Sequence, residues 1–264
     1  MTSPVILATH QWQSTRTDAG AAAPVAVLVH GITGWWRTWW RLGPALADRG
    51  WRVIAIDQRG HGESPPIDGL ATADSLAADV ASTLDALGVA PLDLLVGHSL
   101  GAAVCMELAG ARPAVTRRLL IEDPPGQDRA DDVDFQANLE REVRAARSDP
   151  DSEVRRELAA NPSWLEEDAR QDVEGKAACD LDGILASLRS GTGLRVIELV
   201  PRIRIPTLYV LADEERSALG SRRAALIGSV PASARVVEMN SGHTVHRDRF
   251  DDYLSELNDW LGDA

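Results

Sequence analysis

The sequence predicts an α/β fold: a mostly parallel central sheet with helices on both faces, plus an all-helical insertion. Three observations carry this expectation. Short β-branched apolar runs, each the length of a buried strand, recur along the chain. Amphipathic stretches of helical period alternate with them. Residues 126–195 break that rhythm and hold no strand-like run.

The elements follow in chain order. Leu7 to Gln13 is expected to add an antiparallel edge strand. Val25 to Val29 is the first central strand and Trp51 to Asp57 the second. Between them Trp39 to Arg49 carries apolar residues at helical spacing and ends at Gly50. Thr72 to Leu87 places Leu76, Val80, Leu84 and Leu87 on one helical face, closed by Gly88. Leu92 to Val96 is a third strand and Ala102 to Ala109 a helix. Arg118 to Asp123 is a fourth strand, stopped by Pro124 and Pro125. Asp131–Ser148, Ser152–Ala160, Ser163–Lys176 and Asp180–Arg189 read as helices parted by Pro150, Pro162 and Gly191. Thr207 to Ala212 and Ala234 to Met239 resume the strands, with helices at Arg222–Gly228 and Arg249–Leu261. Residues 1–125 and 196–264 therefore read as one core, and 126–195 as a lid lying over the strand tips.

Bulk properties narrow the function. With 264 residues, 44% of them hydrophobic, the chain can bury a sizeable core. A net charge of −13 argues against a nucleic-acid partner or an anionic membrane surface. From Gly126 to Arg195 there are 17 acidic and 10 basic residues, a net of −7, read as a solvated helical surface. No run approaches the roughly 18 apolar residues of a membrane span. The N-terminus lacks the pattern of a signal peptide, so a cytoplasmic location is expected. Cys105 and Cys179 suggest neither a disulfide scaffold nor a thiolate metal site. No histidines are spaced as a ligand set, so no metal is expected.

The chemistry concentrates at Gly97-His98-Ser99-Leu100-Gly101, between a predicted strand and a predicted helix. A serine at a Gly-x-Ser-x-Gly turn of this kind is a nucleophile elbow. The turn is so sharp that the flanking residues need almost no side chain, and the hydroxyl is pushed out at the strand tip. A serine nucleophile needs a base. Ser241-Gly242-His243 follows the last strand, and Gly242 lets the loop turn His243 inward. His246 is expected to cap that loop or pack on the last helix, and His98 to pack beside the strand. An oxyanion needs donors, and Val29-His30-Gly31-Ile32-Thr33-Gly34 follows the first central strand. The Ile32 amide can pair with that of Leu100; each such donor is worth about 2.7–4 kcal/mol.

Four segments, His30-Gly31, Asp57 to Ser64, Gly97 to Gly101 and Ser241 to His243, stand in the order of the α/β-hydrolase family, and the chain resembles that family over nearly its whole length. The resemblance makes Asp57 to Ser64 a structural hallmark and the helical insert the lid. It also implies a triad acid in one of two places. Members usually carry it after the strand that follows the lid, where this chain offers Glu215 and Asp213. Some carry it one strand earlier, where it offers Asp123. Asp123 is preferred and all three stay open. The expected activity is hydrolysis of a carboxylic ester or lactone of moderate size through an acyl-enzyme, with a small-molecule substrate as the partner. This serine chemistry requires no cofactor. A C–C hydrolase, an amidase, a cofactor-free perhydrolase and a non-catalytic receptor are the alternatives. Trp35, Trp36, Trp39 and Trp40 follow the oxyanion loop, some as core and some to line the pocket or brace the lid. Trp36, Phe135 and Trp164 are the expected substrate-binding residues.

Overall fold

The computed structural model describes residues 4–15, 23–126, 132–190 and 195–262. Its described strands form one seven-stranded sheet in the order β1-β3-β2-β4-β5-β6-β7. They are β1 (Thr9–Trp12), β2 (Val25–Val29), β3 (Arg52–Ile56), β4 (Leu94–His98), β5 (Leu119–Glu122), β6 (Thr207–Leu211) and β7 (Arg235–Glu238). Only β1 runs antiparallel, against β3. All other pairings are parallel.

The central strands are apolar on both faces, as a doubly covered sheet requires. Alternate residues point to opposite sides. Val27, Val29, Ile54, Ile56, Leu95 and Ile121 pack beneath α2 (Ala73–Leu87) and α3 (Leu100–Ala111). Leu28, Val53, Ala55, Leu94, Val96 and Leu120 pack against Trp39, α1 (Leu42–Ala47) and α11 (Phe250–Leu261).

One expected helix is divided. Trp39–Arg49 is not continuous: a 3-10 turn covers Trp36–Trp39, and α1 begins at Leu42. Pro44 has no N–H, so it fits only the first turn of a helix and sets the start of α1. Three one-turn or two-turn helices complete the core: α8 (Val196–Leu199), α9 (Arg223–Ser229) and α10 (Val245–Asp248). A helix of four residues, such as α8 or α10, has no readable period.

The insert contains α4 (Val133–Ser148), α5 (Pro150–Ala160), α6 (Glu166–Ala178) and α7 (Leu181–Arg189). The expected helix start Asp131 and the break at Gly191 lie outside the described residues. The insert has its own apolar centres. Leu139, Val143, Leu181, Ile184 and Leu185 form one, against which the core residues Ile32 and Ile67 pack. Val154, Ala169 and Val173 belong to the other, with Trp164 against them. Part of its acidic excess turns inward rather than to solvent. The buried Lys176 ammonium lies 2.6 Å from Glu157, 2.8 Å from Asp172 and 3.2 Å from Glu142.

Candidate active site

The site is built where β4, β5 and β6 end. At the tip of β4 the backbone of Ser99 takes φ 52°, ψ −119°, and α3 starts at the next residue. That positive φ strains a residue with a side chain. Both neighbouring glycines are forced by contact. A Cβ on Gly97 would lie 2.4 Å from the Gly101 carbonyl oxygen, and one on Gly101 would lie 2.2 Å from that of Val29. Among the described residues only Thr33, Ser99 and Asp123 combine a side chain with positive φ. The three sit in the loop after β2, at the elbow and at the tip of β5, and strain of this kind clusters at functional sites.

Asp123 meets His243. The Ser99 N–H donates to the Glu122 carbonyl, which sets the tip of β5 beside the elbow. Asp123, fully buried, accepts the His243 Nδ1–H at 2.6 Å through Oδ2. It also accepts the Ser217 hydroxyl at 2.6 Å, the Ala218 N–H at 2.8 Å and the Ala212 N–H at 3.2 Å. Burial alone would push this carboxyl up; the hydrogen bond and charge of His243, helped by Ser217 and Ala218, outweigh it and hold the carboxyl below its ordinary value. Glu215 is exposed, and Asp213 accepts the Glu215 N–H at 3.1 Å. Neither approaches His243 with a hydrogen bond. The loop after β6 supplies hydrogen-bond donors to Asp123. Ser217 is a participant that sequence reasoning passed over, since a lone serine in a loop carries no signal.

With Nδ1 committed to Asp123, Nε2 is the ring nitrogen left to face the cavity that His243 shares with Ser99. No direct hydrogen bond joins Ser99 to the ring. His98 packs against that ring at 4.8 Å between centroids, and its Nε2–H donates to the His243 carbonyl at 3.3 Å. His246 turns the other way. Its N–H and its Nδ1 both bond the buried Glu122, at 2.9 and 2.8 Å, and its ring lies 4.6 Å from that of Trp39. Glu122 and Asp123 thus hold two histidines three residues apart, one buried and one open to the cavity.

The loop after β2 is set by neutral imidazoles. His30 Nδ1–H donates to the Gly31 carbonyl at 2.7 Å, and His30 Nε2 accepts the Gln58 N–H. His61 Nε2 accepts the Thr33 N–H at 3.2 Å, while its Nδ1–H donates to the Arg59 carbonyl. The Asp57 carboxylate accepts the Trp36 and Glu63 N–H groups, tying this loop to the turn after β3. The amides of Ile32 and Leu100 donate to no described protein group. Both residues line the cavity that Ser99 enters, and a Cβ on Gly31 would approach the Ser99 Cβ to 3.0 Å.

These rings give the fold a pH signature. Unfolded, each titrates near 6.5; folded, burial lowers His30 to about 4 and His61 and His98 to about 3. Between those values the unfolded chain binds more protons, so stability rises with pH. The contribution is complete above about pH 6.5 and is lost as pH falls toward 3, at up to about 1.4 kcal/mol per pH unit for each ring. The urea midpoint is therefore expected to hold steady between pH 7 and 8 and to drop markedly by pH 5. An unchanged midpoint at pH 5 would contradict neutral burial of the three rings.

The cavity above Ser99 encloses about 950 Å³, its open mouth included. Its core wall includes Ile32, Ile67 and Leu76; the insert adds Phe135, Ile184 and Leu188. Arg59 also borders it, and that guanidinium pairs at 2.8 Å with the buried Asp79. Two of the three expected binding residues lie elsewhere. Trp36 does not border the cavity because its indole stacks on His10, 3.7 Å between centroids. Trp164 does not because it packs under the Arg247 guanidinium and in the second apolar centre of the insert. The other tryptophans divide. Trp39 is core, whereas the Trp35 and Trp40 indoles donate to Gln171 and Asp168 of α6, latching the insert to the sheet. Among the described residues no cluster of three or more His, Cys, Asp or Glu could hold a metal ion, and no helix is long and apolar enough to cross a membrane.

Comparison with known proteins agrees with this architecture. The chain is similar to the sn-1-specific diacylglycerol lipase ABHD11 of Mus musculus, 28% identical over 262 residues that cover 92% of this chain and 83% of that one. It is 26% identical to the pyrrolizixenacetamide deacetylase of Xenorhabdus hominickii over 246 residues, covering 90% and 91%. The enol-lactonase from Burkholderia xenovorans LB400 superposes with a TM-score of 0.73 at 21% identity, covering 96% of each chain, a likeness of fold. The family model for the alpha/beta hydrolase fold matches residues 24–250, and with the sheet order and elbow already described, the chain belongs to the alpha/beta hydrolase fold family.

Proposed function

We propose that the protein is a serine hydrolase acting on neutral carboxylic esters or lactones with an apolar acyl part. The observation that carries this reading is one shared cavity. Into it open Ser99 and a histidine whose Nδ1 is held by a buried aspartate, and the rest of its wall is largely apolar.

Each group has a distinct role. Ser99 Oγ attacks the ester carbonyl while His243 Nε2 takes its proton. Asp123 keeps the ring proton on Nδ1 and stabilises the imidazolium. The Ile32 and Leu100 amides hold the oxygen that becomes negative, and both are unspent. Collapse breaks the ester C–O bond, and the imidazolium returns its proton to the departing alcohol. Water then attacks the acyl-serine with His243 again as base, releasing the acid and restoring Ser99. Residues 126–195 act as a lid on the core formed by 1–125 and 196–264. The lid supplies Phe135, Ile184 and Leu188 to the acyl-binding wall. The names of the lipase and lactonase above agree with this class, and the deacetylase makes an amide the alternative to test beside it.

A graded substrate panel tests the reading. Each buried methylene is worth about 0.8 kcal/mol. p-Nitrophenyl butyrate is therefore expected to exceed p-nitrophenyl acetate in kcat/KM by roughly tenfold. Both esters are expected to outrun the matching anilides. Equal rates for acetate and butyrate would remove the apolar acyl site, and faster anilides would favour the amidase.

A further inference from the structure

The segment after His243 is tied to the helical insert, and one side chain holds both ends of the tie. Asp248 closes α10. Its Oδ2 accepts the Gly242 N–H at 2.5 Å, and its Oδ1 accepts the Ser163 hydroxyl at 2.6 Å. Gly242 immediately precedes His243, and Ser163 lies in the turn before α6. A Cβ at position 242 would stand 2.7 Å from Asp248 Oδ2, so a side chain there would push this carboxylate aside. Arg247 adds a parallel link, with Nη1 2.8 Å from Asp172 Oδ1 of α6. Neither Asp248 nor Ser163 borders the cavity.

Asp123 fixes Nδ1 of the His243 ring, but the backbone from which the ring swings needs its own anchor. His98 contacts the His243 carbonyl only at 3.3 Å. The Gly242 N–H is the pivot on the other side, and a carboxylate is the stronger acceptor. We propose that Asp248 is a positioning residue. It fixes the pivot of the histidine loop and, through Ser163, makes that geometry depend on the docked insert. This rests on the serine-hydrolase reading above.

The test measures kcat and KM for p-nitrophenyl butyrate in Asp248→Ala, Asp248→Asn, Ser163→Ala and the Ser163/Asp248 double alanine, with Ser99→Ala alongside. A displacement of about 1 Å at a reacting group costs about 100-fold. Asp248→Ala is therefore expected to lower kcat by about 10- to 100-fold, with KM within about twofold because no substrate contact is lost. Asp248→Asn is expected to recover most of kcat, since its amide oxygen still accepts the Gly242 N–H. Ser163→Ala is expected to lower kcat by a smaller factor. The double alanine should be no slower than Asp248→Ala, because both act along one path. Should Asp248→Ala fail to fold, Asp248→Ser, too short to reach Gly242, takes its place with the same expectation. Wild-type kcat in Asp248→Ala, an equal loss in Asp248→Asn, or a rise in KM alone would overturn the role. Activity lost in Ser99→Ala but kept in Asp248→Ala overturns the role alone. Activity kept in Ser99→Ala overturns the underlying reading, and this role with it.

Discussion

Ser99→Ala is expected to lower kcat for p-nitrophenyl butyrate by a factor on the order of 10⁵, close to complete loss. The acyl-enzyme cannot form without Oγ, and His243 and Asp123 then have no nucleophile to serve. Any remainder, of about 10³-fold over water, would come from the oxyanion amides and from binding. The fold should survive the change. The Ser99 side chain donates no hydrogen bond to a described residue, and alanine is no more strained than serine at φ 52°. The melting temperature should therefore move little, while irreversible labelling by a fluorophosphonate disappears. A variant that still turns over the ester at the wild-type rate would remove Ser99 from the chemistry.

The second large effect is expected at Asp123. Asparagine fits the same space but presents an N–H to His243 Nδ1. The ring then carries its proton on Nε2, where it cannot accept one from Ser99. A fall in kcat of about 10⁴-fold at neutral pH is expected, as for the loss of the correct tautomer in a serine triad. Glu215→Gln and Asp213→Asn, measured beside it, should stay within about twofold because neither carboxylate bonds the ring. Near-normal turnover in Asp123→Asn, or a collapse in Glu215→Gln, would move the acid to the loop after β6. Ser217→Ala gives a finer view. It removes one of the donors on the carboxylate and leaves the contact at 2.6 Å with His243 in place.

Much of the architecture was legible because its signals are local. Buried parallel strands announce themselves as apolar runs, and all seven expected strands are present. The elbow is legible for the same reason: its two glycines answer to carbonyl oxygens 2.4 and 2.2 Å from where their Cβ atoms would be. The histidine loop is legible from Ser241-Gly242-His243, which follows the last strand. The division of the first helix and the turn that is α10 were not, since one-turn elements have no period. The tryptophans were not either. Four indoles in six residues share one composition, yet one is core, one stacks on His10 and two reach α6.

Ser99, its helix behind it and a histidine loop after the last strand follow from the sequence by itself, because each depends on neighbours within a few residues. The acid does not. Asp123 and His243 are 120 positions apart, and although the sequence favours Asp123, Glu215 and Asp213 stay open beside it until the loops are placed. Only the folded sheet sets β5 between β4 and β6, so that the tip of β5 meets His243 while the next loop turns its backbone amide and hydroxyl toward the same carboxylate. A buried carboxylate is stable only where donors converge on it, and such convergence is a property of assembled strand ends rather than of any one segment.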